Sequence, residues 1–266
     1  MPRWFDLKLD RRKAILMKKA VGAMAQVAFT DRELAGRPQN ADLCVTPEIV
    51  ALVSKTKSTD AVSALMMPEL LMSSFECYES RNLQFNLHSL LCLLEQNTEF
   101  AVTLYGEVED EDVIWYELEE GFRTIYTSTM RLVSWSTKDE MDLGFLVYKY
   151  PVRLGLSSKS FCDLITDMSS HGCTVHATLF KNAVVFRVVN YELVFPTEPL
   201  ICETQSDRGF PCVLKFDIQH KSALLNAATL SEMIWIWFSD SFTMLNFPIR
   251  GLGKLVFGHH NFMVTN

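Results

Sequence analysis

The spacing of apolar residues along the chain predicts four helices. In each of these segments, apolar residues recur every three or four positions, which places them on one face of a helix. The predicted helices cover residues 11–28, 86–96, 157–170 and 219–228. Apolar residues elsewhere follow a different pattern.

Between the predicted helices, most of the chain has the pattern of β-strands. Short runs rich in β-branched and aromatic residues are typical of strands. The clearest are FAVTLY (100–105), VIWYEL (113–118), AVVFRVV (183–189), CVLKFDI (212–218) and MIWIWF (233–238). Helices are few and do not alternate regularly with the strands, so we expect an α+β fold.

A weak internal repeat relates the two halves of the chain. FNLHSLLCLLEQ (85–96) aligns without gaps with FDIQHKSALLNA (216–227), and each copy ends a strand and opens a helix. FDLKL (5–9) and VRLGL (152–156) precede the first and third helices in the same way, though more loosely. A repeat of this kind indicates two similar domains, each with two strand–helix–strand units.

The segment between the halves, RLVSWSTKDEMDLGFLVY (131–148), has poor periodicity in its middle. We interpret it as an inter-domain connector, and an ordinary surface loop explains the pattern about equally well. With the connector interpretation, the predicted domains are residues 1–130 and 149–266.

Composition narrows the class of protein. Of 266 residues, 48% are hydrophobic, which is enough for a substantial core. No apolar run approaches the ~18 residues of a membrane helix, and the charged start MPRWFDLKLDRRK does not resemble a signal peptide. Seven cysteines are scattered singly, which is typical of reduced thiols in a cytosolic or nuclear protein. The net charge of −7 argues against a protein that simply coats nucleic acid, but not against basic residues gathered on one surface.

The first predicted helix carries a basic stripe. At 100° per residue, one sector contains Arg11, Arg12, Lys18 and Lys19, with Ile15 intruding, and the other side is mainly apolar. Such a stripe can neutralise DNA phosphates without reading sequence, although an isolated basic stripe is more often a solvated helix face. The other helices carry less charge: His88 on the second, Lys159 beside Asp163 and Asp167 on the third, and His220 and Lys221 on the fourth.

No motif points to catalysis, a cofactor or a metal. Eight carboxylates between Glu107 and Glu120 flank a strand-like run, and we interpret them as a solvated edge. His171, Cys173 and His176 lack the fourth ligand of a zinc site, so a turn running into a strand is the simpler interpretation. No phosphate-binding loop, dinucleotide fingerprint or nucleophile elbow is present.

Three stretches, taken in order, resemble sliding clamps of the proliferating cell nuclear antigen family. They are SSFECYESRNLQFNLHSLLCLLEQ (73–96), residues 142–190, and residues 212–260. In the second stretch, Leu143-Gly144 falls on the Leu-Gly of the family's connector. In the third, Gly253 falls on a glycine of the closing strand. The resemblance covers most of the chain, although individual identities are sparse.

The resemblance implies a ring-forming binding protein that is not an enzyme. It would encircle duplex DNA without sequence readout, slide, and tether a DNA polymerase during replication or repair, in the nucleus or at a viral replication site. The expected partners are double-stranded DNA, a polymerase, a clamp loader and proteins with short hydrophobic clamp-binding peptides. The residues expected to face DNA are Arg11, Arg12, Lys18, Lys19, Lys159, His220 and Lys221.

Partners of this family dock short peptides in an apolar pocket under the connector. By alignment, the pocket residues are Val62, Leu65, Met66, Leu143, Phe145, Phe242 and Phe257, and the connector also offers Trp135. Two departures affect this region: a proline of the family becomes Phe242, and the second aromatic residue of the closing strand becomes Gly258. In addition, the family's closing Ala-Pro becomes His260-Asn261.

Three assemblies remain open. The first is a homotrimeric replicative clamp. The second is one subunit of a heterotrimeric DNA-damage checkpoint clamp, which suits the thin charge of the second and third helices. The third is a clamp-fold viral factor for late transcription or assembly.

Overall fold

The fold is α+β, as expected from the sequence. A computed structural model describes residues 2–29, 39–56, 61–96, 99–121, 123–136, 150–196, 201–204, 211–239 and 242–260. Over these residues the chain forms four α-helices, a short 3-10 helix (Glu69–Leu71) and eighteen strands. The α-helices are α1 (Arg11–Phe29), α2 (Leu87–Gln96), α3 (Ser158–Met168) and α4 (Lys221–Ala228). All four helices predicted from apolar spacing are therefore confirmed.

The strands fall into two groups along the chain. The first nine are β1 (Arg3–Leu9), β2 (Asn40–Val45), β3 (Ile49–Lys55), β4 (Ala61–Pro68), β5 (Ser74–Cys77), β6 (Arg81–Asn86), β7 (Ala101–Glu107), β8 (Asp110–Glu120) and β9 (Arg123–Ser136). The rest are β10 (Val152–Ser157), β11 (Thr174–Leu179), β12 (Ala183–Val188), β13 (Tyr191–Pro196), β14 (Ile201–Thr204), β15 (Cys212–Asp217), β16 (Met233–Phe238), β17 (Phe242–Ile249) and β18 (Gly253–His260). The five strand runs singled out in the sequence correspond to β7, β8, β12, β15 and β16.

The chain divides into two compact units. The first unit comprises Met1–Lys55, Ser63–Asp142 and Ile249–Leu255, and the second comprises Thr56–Val62, Leu143–Pro248 and Val256–Asn266. The proposed connector is only partly visible, because β9 extends to Ser136 and residues 137–149 lie outside the described residues.

In the first unit, the sheet follows the order β4-β3-β2-β6-β9-β8-β7-β1-β5. Helices α1 and α2 pack against each other, and α1 also contacts β1, β3 and β7. Alternation along the strands directs apolar side chains towards the helices, so Phe5, Phe85 and Tyr116 are fully buried with Met17 and Met24 of α1.

In the second unit, one sheet has the order β14-β10-β16-β17-β18 and a separate four-stranded sheet has the order β13-β12-β11-β15. Helices α3 and α4 pack together, and α3 contacts β10 and β16. Phe161 of α3 meets Phe247 of β17 edge-to-face at a centroid distance of 5.6 Å, which is a favourable aromatic geometry. Each unit thus buries one helix pair against β-structure.

The internal repeat is reproduced at the level of single hydrogen bonds. Before α2, the side chain of Asn86 accepts a bond from the His88 amide at 2.9 Å. At the aligned place before α4, Asp217 accepts one from the Gln219 amide at 2.6 Å. Polar side chains of this kind accept hydrogen bonds from backbone amides that have no other partner where a helix begins.

The looser repeat at the first and third helices has the same physical basis. Asp10 caps α1 by accepting from the Lys13 amide at 2.9 Å, and Ser157 caps α3 by accepting from the Ser160 amide at 3.1 Å. Both are N-cap bonds across three residues. The two halves of the chain therefore start their helices by matching local rules.

Two helix ends differ from the sequence prediction by two residues, and three others differ by one. Helix α4 begins at Lys221 rather than at residue 219, because the Asp217 bond holds Gln219 and His220 in a turn. Helix α3 ends at Met168 rather than at residue 170, and the Ser169 and Ser170 hydroxyls donate to the carbonyls of Thr166 and Asp167. Such back-bonding competes with helix continuation.

Candidate nucleic-acid interface

Helix α1 separates apolar from basic side chains as its sequence predicts. The apolar sector is buried against the first unit: Ala14, Met17, Ala20, Val21 and Met24 are each at most 2% exposed. The opposite sector contains Arg11, Arg12 and Lys19, which are exposed, and Lys18, which is half-buried. The burial of one face therefore places all four predicted cations on the other.

Arg11 is only weakly held by its described ion pair. Arg11 lies 3.5 Å from Glu99, and both side chains are more than 60% exposed. An exposed ion pair of this kind contributes ~0–1 kcal/mol, because water and salt screen it. A phosphate group can thus replace Glu99 as the partner of Arg11 at little cost.

Lys18 has a second role at the end of α2. Its ammonium group donates to the backbone carbonyl of Glu95 at 3.3 Å, in the last turn of that helix. Carbonyls in a last helical turn lack helix partners, and the helix dipole favours a cation there. Lys18 therefore also joins α1 to α2.

The remaining predicted DNA contacts lie in the second unit. Lys159 is exposed in the first turn of α3, and Asp163 and Asp167 follow it on the same face. Lys221 opens α4 and His220 precedes it, and both are half-buried. Helices α3 and α4 pack together. Of the predicted DNA contacts on this pair, only Lys159 is exposed, so the pair presents fewer exposed cations than α1.

Helix α2 contributes no Lys or Arg. Its exposed face carries His88, whose Nε2 lies 3.4 Å from the Cys92 sulfur, and Glu95. The basic charge of the first helix pair therefore rests on α1.

Several acidic residues of the first unit lie on strand β8. Glu117 accepts from the Tyr105 hydroxyl at 3.0 Å, and Glu119 accepts from Lys8 and from Thr103. The carboxylate run predicted as a solvated edge thus forms much of β8, and part of it is tied into a ladder with β1 and β7.

These hydrogen bonds shift the pKa values of Tyr105 and Glu119. Partial burial and the hydrogen bond to Glu117 raise the pKa of Tyr105 to about 12, so its hydroxyl stays protonated and keeps donating. Burial alone would favour the acid form of Glu119, but bonds from Lys8 and Thr103 outweigh it and lower the pKa of Glu119.

The residues predicted for the peptide pocket are mostly buried. On β4, Val62 is 8% exposed, Leu65 is fully buried and Met66 is half-buried. Phe242 of β17 is fully buried, and Phe257 of β18 is buried with its ring 5.7 Å from that of Phe247. Leu143 and Phe145 lie outside the described residues.

One cluster escaped the sequence analysis. Arg81 is 5% exposed and lies between the rings of Trp4 and Trp135, at 4.6 and 4.7 Å from their centroids. Its guanidinium also pairs with Glu79 at 2.6 Å and Glu111 at 3.1 Å. Cation–π contacts and ion pairs here join β1, β6, β8 and β9. The five residues are scattered along the sequence, so no local pattern signals the cluster.

The sequence analysis also did not predict two open strand edges. Residues 123–131 of β9 pair with β8, and its partner β6 begins only at Leu132. Strand β13 ends its sheet and pairs with β12. Both edges expose apolar side chains, including Ile125 and Tyr126 on β9 and Val194 on β13. Among the described strands, neither edge has a second neighbour, and unpaired edges with such side chains are templates for strand addition.

Two further kinds of feature are absent from the described residues. No helix there is long and apolar enough to span a membrane. Nor does the described part of the chain bring three or more His, Cys, Asp or Glu side chains together in a way that suits a metal ion. Within the predicted cluster, the His171 ring stacks on Tyr191 at 4.0 Å.

Comparison with known proteins gives a match in structure but none in sequence. No protein-family model matches the chain, and no curated protein matches it in sequence. Among solved structures, it is similar to proliferating cell nuclear antigen from Entamoeba histolytica, with a TM-score of 0.74 and 17% identity. The match covers 98% of this chain and 100% of the other.

The match extends over both units, including helices and strands that sequence identity alone would not relate. Two similar halves, two helix pairs and extensive antiparallel sheets agree with it. The chain therefore has the sliding-clamp fold of proliferating cell nuclear antigen.

Proposed function

We propose that the protein is a subunit of a DNA sliding clamp, which encircles duplex DNA and tethers a polymerase and other replication or repair proteins. The observation that supports this most is the basic face of α1 on a chain that has the clamp fold over its full length. The proposal includes action as a scaffold without catalysis, at the nuclear or viral site of DNA synthesis.

The chemistry of the α1 face suits sliding. Arg11, Arg12, Lys18 and Lys19 offer positive charge, and contacts of such side chains with phosphates carry no sequence information. Phosphate neutralisation is independent of sequence, so the energy changes little as a ring moves along DNA. Lys159, His220 and Lys221 would add a weaker contribution from α3 and α4.

Ring assembly is supported by the two open strand edges. Both edges expose apolar side chains that a strand contact would bury; Glu192 of β13 is already paired with Arg187 at 2.5 Å, so the proposal does not depend on its charge. Pairing of β9 in one copy with β13 in the next would be a head-to-tail contact, which closes into a ring when the rotation permits. Such a contact would also cover Ile125, Tyr126 and Val194.

In this proposal, partner proteins dock short hydrophobic peptides near β4, β17 and β18. A clamp loader would act on the same ring. Burial of a few hydrophobic anchors supplies most of the affinity of such peptides. The proposed pocket combines Val62, Leu65, Met66, Leu143, Phe145, Phe242 and Phe257.

Charge reversal on α1 tests the proposal. Changing Arg11, Arg12, Lys18 and Lys19 to Glu should abolish stimulation of a cognate polymerase on primed circular DNA, because DNA phosphates would be repelled. Matched controls are the exposed Lys55, Lys181, Lys215 and Arg250 changed to Glu, which produce the same net charge and should retain stimulation. Equal activity of both variants would refute the assignment of α1 to DNA.

A second candidate is a subunit of a heterotrimeric checkpoint clamp. The observation that favours it is the thin basic charge of α2 and α3, because three identical copies would line a ring unevenly. Light scattering on the purified chain distinguishes the two. A mass near three times 30.4 kDa supports the homotrimer, whereas a stable monomer that trimerises only with other chains supports the heterotrimer.

A further inference from the structure

Strand β5 ends the sheet of the first unit, and among the described strands its only neighbour is β1. The Tyr78 amide, just after β5, donates to the Trp4 carbonyl of β1 at 2.9 Å. In an antiparallel pair, the backbone groups of successive residues point to alternate sides. The amides and carbonyls of Phe75 and Cys77 therefore point away from β1, towards the open side of β5.

Apolar side chains along β5 are incompletely covered. Phe75 and Cys77 lie opposite fully buried residues of β1 and so belong to the core-facing side of the sheet. Both nevertheless remain half-buried. At the two ends of the strand, Leu70 is 91% exposed and Tyr78 is 74% exposed. A strand added on the open side would cover part of this surface.

The surroundings of β5 are acidic. Glu69 lies in the turn before the strand and Glu76 lies on it, and both are exposed. The Glu69 amide donates to the carbonyl of Glu48, also an exposed residue, at 2.9 Å. Partial burial, together with the carboxylates of Glu48 and Glu79, raises the pKa of the Cys77 thiol. Negative charge thus extends along the whole strand.

Two lysines close to the start of β5 do not offset this charge, because they already have partners. Lys8 pairs with Glu119, and Lys13 pairs with Asp10 at 3.4 Å. None of the ion pairs among the described residues includes the exposed carboxylates at positions 48, 69 and 76. These carboxylates are therefore available to a cationic partner.

We propose that the open side of β5 binds an extended basic segment of a partner protein as an added strand. Unpaired edges are templates for strand addition, in which backbone hydrogen bonds supply affinity and alternate side chains supply specificity. The segment would place apolar side chains beside Phe75 and Cys77, and Lys or Arg beside Glu76. Like charges across an interface repel, so acidic segments are excluded. This surface is separate from the one proposed for DNA and does not depend on the clamp function.

Two fluorescent peptides, one alternating lysine with valine and the other glutamate with valine, test the proposal by anisotropy. The wild-type chain should bind the lysine peptide at least about tenfold more tightly. Cys77→Pro should weaken this binding about tenfold or more, because it removes an outward amide and places ring carbons on the open side. Cys77→Val is the matched control, since it keeps the amide and should bind as the wild type does.

Charge reversal tests the choice of a basic partner. Glu69→Lys with Glu76→Lys should reverse the preference between the two peptides. Asp163→Lys with Asp167→Lys changes the net charge equally at exposed positions of α3 and should leave the preference unchanged.

Equal affinities of the wild type for the two peptides would overturn the proposal, as would no binding of either or an unchanged affinity in Cys77→Pro. A reversed preference in the α3 variant would do the same. If Cys77→Pro does not fold, the two charge variants still decide. Polymerase stimulation by the α1 variants is measured without any peptide. A chain that stimulates polymerase but binds neither peptide would therefore refute this inference alone.

Discussion

At the scale of single residues, backbone conformation limits what the chain tolerates. Gly253 has φ +141°, a region that side chains rarely enter, and a Cβ atom there would lie 1.9 Å from the carbonyl oxygen of Met66. That oxygen belongs to the backbone and cannot move as a flexible side chain would. The glycine at the start of β18 is thus required by a close backbone approach.

We expect Gly253→Ala to lower the free energy of unfolding by about 3 kcal/mol or more, because conformational strain and overlap add together. Thermal or urea denaturation would measure the loss. Gly22→Ala is the matched control, since nothing lies within 4 Å of a Cβ atom at that helical position. It should be neutral or stabilise the protein by up to about 1 kcal/mol. Equal stabilities of the two variants would contradict this account.

Val189 also has a positive φ, but unlike Gly253 it carries a side chain that makes this conformation strained. It is a β-branched residue at φ +49° in the two-residue turn between β12 and β13, and it is 72% exposed. Asparagine tolerates positive φ far better than valine. We therefore expect Val189→Asn to raise the free energy of unfolding by about 1 kcal/mol. Val194→Asn on the neighbouring strand should not stabilise, and a gain there of the same size would show that strain is not the cause.

At the scale of elements, side-chain caps determine where the helices begin. Burial of Asp10 alone would raise its pKa, but the bonds from the Lys13 amide and the Ser73 hydroxyl and the Lys13 charge lower it. The ionised carboxylate is therefore the form that stabilises α1. The same cap position is taken by uncharged Ser157 at α3, so of these two caps only Asp10 titrates.

Loss of the Asp10 cap should cost about 1 kcal/mol in Asp10→Ala at neutral pH. A lowered folded-state pKa means that the contribution is present above the unfolded value of about 3.9 and is lost as pH falls through the folded value. The difference from wild type should therefore shrink at low pH. Asp10→Asn retains a capping oxygen without the charge and should remove this pH dependence. Denaturation curves between neutral pH and pH 3 would measure both effects.

At the scale of the whole molecule, charge and strand edges are distributed unevenly. The cations of the first unit that are predicted to face DNA lie along α1, whereas many of its carboxylates lie on β8. This explains how a chain of net charge −7 retains a basic face. The open half of β9 and the terminal strand β13 are the features that bear on assembly.

Placing a charge on the open half of β9 should prevent assembly. We expect Ile125→Asp with Tyr126→Asp to reduce the mass in light scattering to that of one chain, because both side chains are exposed on the unpaired stretch. Val133→Asp is the control. It is 59% exposed on the same strand, but in the half that β6 already pairs. An assembled double variant, or a monomeric control, would contradict the role of this edge.

Much of the fold follows from local rules that the sequence states directly. Helices α1 to α4 are detectable because one apolar face recurs every three to four residues. Side chains at or just before their starts, Asp10, Asn86, Ser157 and Asp217, accept hydrogen bonds from nearby backbone amides. The basic face of α1 follows from the same periodicity, since burial of Ala14 and Met17 leaves Arg11 and Lys18 outside. These features depend on neighbours within about one helical turn.

The tertiary structure alone decided the contacts between residues far apart in the chain. Arg81 between Trp4 and Trp135, the open edge of β9, and the open side of β5 all depend on which strands are neighbours in space. Strand pairing of this range costs loop-closure entropy and is selected by the whole core rather than by local sequence. The sequence by itself therefore determined the elements and the basic helix, whereas packing decided the edges and the shape of the proposed docking surface.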